Sequence, residues 1–276
     1  MIKRLSVLFL ILTVILSFPA CGSARGAGQS TEQHTDASAG ESVELIVFAA
    51  ASLSETMDQI IQNYKSVAPN VTIIPSYDSS GTLLTHIQEG AVCDLFLSAA
   101  PTQINALEEE GGLLDGTRVD LLENKVALAV PDGNPKGIES FDHLAWLLEE
   151  GDVFLAIGNS DVPVGQYTQK IFAYYGLDEK TLADNGLLTY GSNVKEVTTH
   201  VVEAVVDCGV IYATDAFSAH LTTVDEAASE MCGQVIYPAA VIAATEHPDE
   251  AKAFLDYLTT PAASDVFAGV GFTPLT

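Results

Sequence analysis

Short apolar runs alternate with helical periods along this chain, and that alternation limits the fold more than any other feature of the sequence. Glu44–Ala49 is an apolar run that reads as a buried strand. Leu53, Met57, Ile60, Ile61 and Tyr64 then recur with a helical period. Val71–Tyr77 reads as a second strand and Thr82–Glu89 as a helix ending at Gly90. Asp94–Ser98 is a third strand, and Pro101–Glu110 a helix stopped by Gly111 and Gly112. This βαβαβα order implies a parallel sheet covered by helices. The rhythm restarts near Asn124. Strands are expected at Lys125–Val130, Val153–Ile157 and Gly209–Ala213, and helices at Phe141–Glu150, Gln166–Tyr175 and Val194–Val206. Gln234–Ile242 reads as a long strand broken by Pro238. Pro248 and Pro261 open two closing helices, Asp249–Leu258 and Ala262–Ala268. The restart predicts an α/β fold of two lobes, each a mostly parallel sheet flanked by helices.

The first residues stand apart from this pattern. Lys3 and Arg4 precede an unbroken run of apolar, Ser and Thr residues from Leu5 to Phe18, followed by the small residues Ala20, Cys21 and Gly22. Residues 1–20 read as a secretory signal, too short and wrongly flanked for a spanning helix. Cys21 directly after Ala20 resembles the lipidation site of bacterial lipoprotein signals, with cleavage before Cys21 and lipid on its thiol. Phe18 departs from that pattern, which usually carries Leu there. The alternative is an ordinary cleaved signal with an incidental cysteine. From Gly22 to Glu41 the chain is Gly, Ser, Ala, Thr, Gln and acidic residues, with Arg25 and His34, and has no apolar period. Such a stretch buries too little surface to offset the entropy of ordering. Residues 21–41 are therefore expected to be a flexible tether, and the folded part to be extracytoplasmic and anchored to the cell membrane.

Hydrophobic residues make up 48% of the chain, ample for a buried core, and the formal charge is −26. Such acidity argues against a nucleic-acid partner, whose phosphates need Lys and Arg. It does not argue against a small anion, because at physiological salt charges beyond about 8 Å are largely screened. Cys93, Cys208 and Cys232 follow Cys21 at spacings unlike those of a metal site. Buried free thiols are the expectation, with a Cys208–Cys232 bridge as the alternative.

Four stretches place small polar groups where a helix should begin after a strand. They are Ala50–Glu55, Asp78–Thr82, Val162–Gly165 and Ser192–Glu196. A helix start has unsatisfied N–H donors and a partial positive charge, which suits an anion. Ser52 and Glu55 have capping-box spacing, so Ser52 reads as a cap or as an anion donor. Ser79 and Ser80 supply hydroxyls beside Gly81. At the third and fourth starts the useful groups are the backbone N–H of Val164 and Val194. Tyr212, at the end of a strand, is a core aromatic or a donor. Lys195 is the one nearby cation and is expected to point outward; Asp78 is an unexpected neighbour for an anion.

Taken in order, Phe48–Leu53, Ser79–Leu83, Gly90–Phe96, Val162–Gly165, Gly209–Ala216 and Gly271–Phe272 resemble the molybdate-binding proteins of ABC importers. The resemblance covers nearly all of Val43–Phe272. It implies a type II periplasmic-binding-protein fold, with residues 43–123 plus 239–276 in one lobe and 124–238 in the other. It also implies that Ser52, Ser80, Val164, Val194 and Tyr212 hold molybdate, or tungstate, as an oxyanion in the cleft. The implied partner is a membrane permease; the protein is expected to act as a monomer, without cofactor, cation site or catalysis. The family commonly has Ala where this chain has Val164, a change that keeps the backbone donor. The alternatives are a binding protein for sulfate or phosphate, and a serine-dependent hydrolase. Against the hydrolase, no Gly-x-Ser-x-Gly elbow occurs and the six His residues lack metal-ligand spacing.

Overall fold

A computed structural model of the chain describes residues 42–276. The expected signal, the lipidated Cys21 and the tether lie outside the described residues. β1 (Val43–Ala50) runs through one 3-10 turn at Ala51–Leu53 into α1 (Ser54–Tyr64). It is followed by β2 (Val71–Asp78), α2 (Ser80–Gln88), β3 (Leu95–Leu97), α3 (Pro101–Glu109) and β4 (Val119–Asn124). The next stretch comprises β5 (Val126–Val130), α4 (Phe141–Glu150), β6 (Leu155–Gly158), α5 (Pro163–Tyr175), α6 (Glu179–Asp184) and β7 (Leu188–Gly191). It continues through α7 (Val194–Val202), β8 (Cys208–Tyr212), α8 (Ala213–Ser218), β9 (Thr222–Glu226) and α9 (Ser229–Cys232). The chain ends with β10 (Val235–Val241), α10 (Pro248–Leu258), α11 (Pro261–Ala268) and β11 (Thr273–Pro274).

These strands form two sheets, one of six strands in the order β11-β4-β10-β3-β1-β2 and one of five in the order β7-β6-β8-β5-β9. β2, β1 and β3 are parallel, as are β7, β6 and β8. The remaining pairings are antiparallel, so both sheets are mixed rather than mostly parallel. The reason lies in the connectivity. The chain leaves the first sheet along β4 and returns along β10, and neighbouring strands that lead out and back must run in opposite directions.

The alternation in β1 explains how its sheet is covered on both faces. Leu45, Val47 and Ala49 pack in one cluster with Ile60 of α1 and Phe254 and Leu255 of α10. Phe48 points the other way and joins Leu83 of α2 and Ile104 and Leu107 of α3. Each large side chain so buried contributes about 1.5–3 kcal/mol. Cys93, Cys208 and Cys232 are buried and free, and the alternative Cys208–Cys232 bridge is not formed.

The two connections between the sheets lie side by side, since Asn124 at the end of β4 is in register with Val235 at the start of β10. The second crossing therefore falls between Cys232 and Val235, not at Pro238. Pro238 lies inside β10, where the register shifts between Tyr237 and Pro238. A bulge accommodates a residue with no N–H to give to the ladder, and the Pro238 carbonyl still accepts from the Ser98 N–H at 2.9 Å.

The carboxyl ends of β1, β2, β6, β7 and β8 each lead within a few residues into a helix start. Packing at one of these turns is close enough to require glycine. A Cβ on Gly165 in α5 would overlap the backbone carbonyl oxygens of Gly158 and Asn159 at the end of β6. Gly165→Ala should therefore destabilise the fold by about 1–3 kcal/mol through forced backbone movement. Urea unfolding followed by circular dichroism tests this, and an unchanged midpoint would show that the turn yields freely.

Candidate functional site

A small cavity lies between the two sheets, and its wall includes Ser52, Ser80, Val164, Val194 and Tyr212. All five are buried. The first two come from the helix starts after β1 and β2, Val164 and Val194 from those after β6 and β7, and Tyr212 from the end of β8.

Ser52 sits in the 3-10 turn rather than at a helix cap. α1 begins after Leu53 with no side-chain cap, and Glu55 accepts from the neighbouring Ser54 hydroxyl. The capping box read from the sequence is thus not formed. The Ser52 hydroxyl instead lies 3.0 Å from the hydroxyl of Tyr237 on β10. Tyr237 in turn accepts from the Asn124 amide at 3.2 Å. Either hydroxyl can be the donor of the bond between Ser52 and Tyr237, and when Tyr237 donates, the Ser52 proton is free for the cavity. Ser80 is prepared in a similar way. Its hydroxyl oxygen accepts from the Ala99 N–H at 2.9 Å, which leaves its proton available. Ser79, rather than Ser80, caps α2 by accepting from the Thr82 N–H at 3.1 Å.

Val164 and Val194 lie in the first turns of α5 and α7, where backbone N–H groups have no acceptor within the helix. Pro163 at the first position of α5 sets the helix direction without using a donor. The Asn193 side chain accepts from the Glu196 N–H at 3.1 Å and caps α7, leaving the Val194 N–H unused by the cap.

Tyr212 is the most unusual member. Its hydroxyl is fully buried and reaches hydrogen-bond geometry with no other group among the described residues, the Tyr237 hydroxyl being its near polar neighbour. The ring is held edge-on by Tyr167 and Tyr237, at centroid distances of 6.4 and 5.7 Å. Burial, with the neighbouring tyrosines and Asp215, pushes its pKa well above the usual range, so it stays a neutral phenol donor. A buried polar group without a partner is costly, and here it borders a cavity.

Two charged neighbours complete the geometry. Asp78 lines the cavity, but its Oδ1 already accepts from the Ser79 N–H at 2.7 Å and from the Asn193 amide at 3.3 Å. Lys195 does not point outward, as its surface position on a helix would imply. It is turned along α7 to place its ammonium 2.8 Å from both carboxylate oxygens of Glu55 on α1 and 3.0 Å from Asp215 on α8. No Lys, Arg or His belongs to the cavity wall.

The family model for bacterial extracellular solute-binding proteins matches residues 45–273. The chain belongs to this family. Over 99% of both chains it is 32% identical to YvgL of Bacillus subtilis, a candidate ABC transporter substrate-binding lipoprotein. It is 29% identical to the molybdate-binding protein ModA of Haemophilus influenzae, covering 84% of this chain and 91% of that one. Among solved structures, the substrate-binding domain of a candidate molybdenum ABC transporter from Clostridium difficile matches with a TM-score of 0.64. That match has 31% identity and covers 85% of this chain and all of that one.

A solute-binding protein needs donors that are oriented before the solute arrives, and several of the residues doing this here carry no local signal. Asn124, Thr214 and Tyr237 form a buried chain in which the Asn124 amide donates to the Thr214 hydroxyl at 2.9 Å and to Tyr237. They are far apart in sequence, and only the crossing of β4 and β10 brings them behind Ser52. Ser79 is similar, since its neighbour Ser80 looks equivalent until the helix start is placed. The unpartnered hydroxyl makes a direct prediction. Tyr212→Phe should leave the ligand-free protein as stable as the parent or more stable, by up to about 1–3 kcal/mol. Denaturant unfolding measures this. A clear loss of stability would mean that the hydroxyl has a partner in solution.

Proposed function

We propose that this solute-binding protein takes up a tetrahedral oxyanion, molybdate and with it tungstate, in the cavity between its sheets. It then delivers the anion to the membrane permease of an ABC importer. The observation that carries this reading is the Tyr212 hydroxyl, buried without a partner beside a cavity that also presents Ser52, Ser80, Val164 and Val194. Molybdate is fully deprotonated near neutral pH and needs donors only, which hydroxyls and amides supply. A protonated oxyanion such as hydrogenphosphate also needs an acceptor; in the wall that role falls to Asp78, whose Oδ1 is engaged by two donors, so only its Oδ2 could serve. The names of the Haemophilus and Clostridium relatives favour molybdate in the same direction.

A hydrolase is disfavoured by the partners of the serines. Ser52 is bonded to Tyr237 and Ser80 to a backbone N–H, so neither has a base to take its proton. The protein binds without turnover, as a monomer and without a cofactor. The anion joins Ser52 and Ser80 on one lobe to Val164, Val194 and Tyr212 on the other, and those differential contacts favour the closed form.

Isothermal titration of residues 42–276 with molybdate, tungstate, sulfate and phosphate tests the assignment. Molybdate and tungstate should bind more tightly than the smaller anions. At about 100 times the dissociation constant they should add about 2.7 kcal/mol of stability, raising the melting temperature. Tyr212→Phe should weaken binding about ten- to a hundredfold, since a hydrogen bond to a charged acceptor contributes about 1.5–3 kcal/mol. Equal binding of sulfate would replace molybdate by a general oxyanion, and parental affinity in Tyr212→Phe would remove Tyr212 from the shell.

The protein acts outside the cytoplasm, held by a lipid on Cys21. Cys21→Ala should release it from the membrane fraction without altering anion affinity, because Cys21 precedes every residue of the cavity wall by about 30 positions or more in the sequence. Immunoblotting of fractionated cells decides this, and a mutant that stays with the membrane excludes the lipid anchor.

A further inference from the structure

Lys195 occupies a position that its own helix does not favour. It lies in the first turn of α7, where the helix dipole opposes a cation, and burial also opposes its charge. Two carboxylates outweigh these effects. One is Asp215, fully buried on α8 of the same lobe, and the other is Glu55, half-exposed on α1 of the opposite lobe. The Lys195 ammonium therefore spans the cleft beside the cavity without entering it, and the preceding residue, Val194, belongs to the cavity wall.

The lobes meet at two further points around the cavity. Asp78 of β2 accepts from Asn193, the cap of α7. Gly81 of α2 abuts the backbone of Asp161 in the β6–α5 loop so closely that a Cβ would overlap its carbonyl oxygen. All of these contacts are made between groups of the chain itself, so the chain carries closing contacts of its own.

We infer that Lys195 is a positioning residue that closes the two lobes over the cavity through its pair with Glu55. Anion affinity then depends on a cation that never touches the anion. The affinity part of this inference rests on the oxyanion-binding reading of the cavity, while the closure part does not. Asp215 anchors Lys195 from below, which keeps the ammonium aimed across the cleft. Glu55 is the separable half, because among the described residues of its own lobe its carboxylate bonds to the neighbouring Ser54 and its own backbone.

Small-angle scattering of the ligand-free protein, with titration by molybdate, tests this on four variants. Glu55→Gln breaks the pair across the cleft and leaves Lys195 with Asp215. It should enlarge the radius of gyration and weaken molybdate binding about two- to fivefold, the range for a partly exposed ion pair. Lys195→Met should do at least as much, and the double variant should bind no more weakly than Lys195→Met alone. Lys195→Arg, which can pair with the same carboxylates, should restore both dimensions and affinity. A Glu55→Gln protein with parental dimensions and parental affinity overturns the inference. So does a double variant whose losses multiply. If the parent binds no anion in the panel, the oxyanion reading fails, and the ligand-free dimensions of Glu55→Gln still decide whether Lys195 closes the cleft.

Discussion

The antiparallel pair of β4 and β10 is the constraint on which the rest of the structure depends. Both connections between the sheets pass through its end, where Asn124 and Val235 stand in register. Two adjacent strands joined by a ladder restrict relative motion of the sheets far more than a single linker does, while leaving the short segments after Asn124 and before Val235 to bend. The same pair supports the cavity. Asn124 gives its amide to Thr214 and Tyr237, and its carbonyl oxygen accepts from the Lys125 N–H at 2.8 Å. The element that joins the lobes is thus bonded directly to the groups that orient Ser52.

Most donors in the cavity wall are held in place by the chain. Ser80 accepts from a backbone N–H, Ser52 shares a bond with Tyr237, and the Val164 and Val194 amides are held by helix starts. Such a set is pre-organised, so a bound anion would not have to order it. It also makes a strongly acidic protein compatible with an anionic solute, because local dipoles decide the interaction at contact distances while remote charges are screened. Charge is used elsewhere, in the Glu55–Lys195–Asp215 group at the edge of the cleft. There burial pushes the Asp215 carboxyl up to about 6, Lys195 opposes that shift, and Glu55 adds to it. Asp215 therefore favours the folded state most below the usual carboxylate range, and that contribution is lost as pH rises through about 6.

The core elements were readable because their patterns are local. α4 spans Phe141–Glu150 as expected, and β1, α1, β2 and α10 fall within a few residues of expectation. β7 and β9 were not readable. They are short edge strands with polar, partly exposed residues such as Thr222, Thr223 and Thr189, so no apolar run marks them. β4 was missed because Asp120 and Glu123 interrupt its apolar residues. Pro238 misled because a proline in an isolated sequence reads as a break, whereas the neighbouring strand absorbs it as a bulge.

The sequence by itself determined the α/β rhythm, the helix starts and the order of motifs, since these follow from residue periodicity and from backbone chemistry within a few residues. It also singled out Ser52, Ser80, Val164, Val194 and Tyr212, and the fold brings all five to one cavity. Only the tertiary structure decided what stands behind and beside them. Tyr237 lies 185 residues from Ser52, and Glu55 lies 140 residues from Lys195. Contacts of that separation leave no trace in local pattern, because they exist only after β4 and β10 pair and the two lobes meet. The direction of Lys195 is the clearest case: its helix and its hydrophilicity point it to solvent, and two carboxylates from distant segments turn it across the cleft.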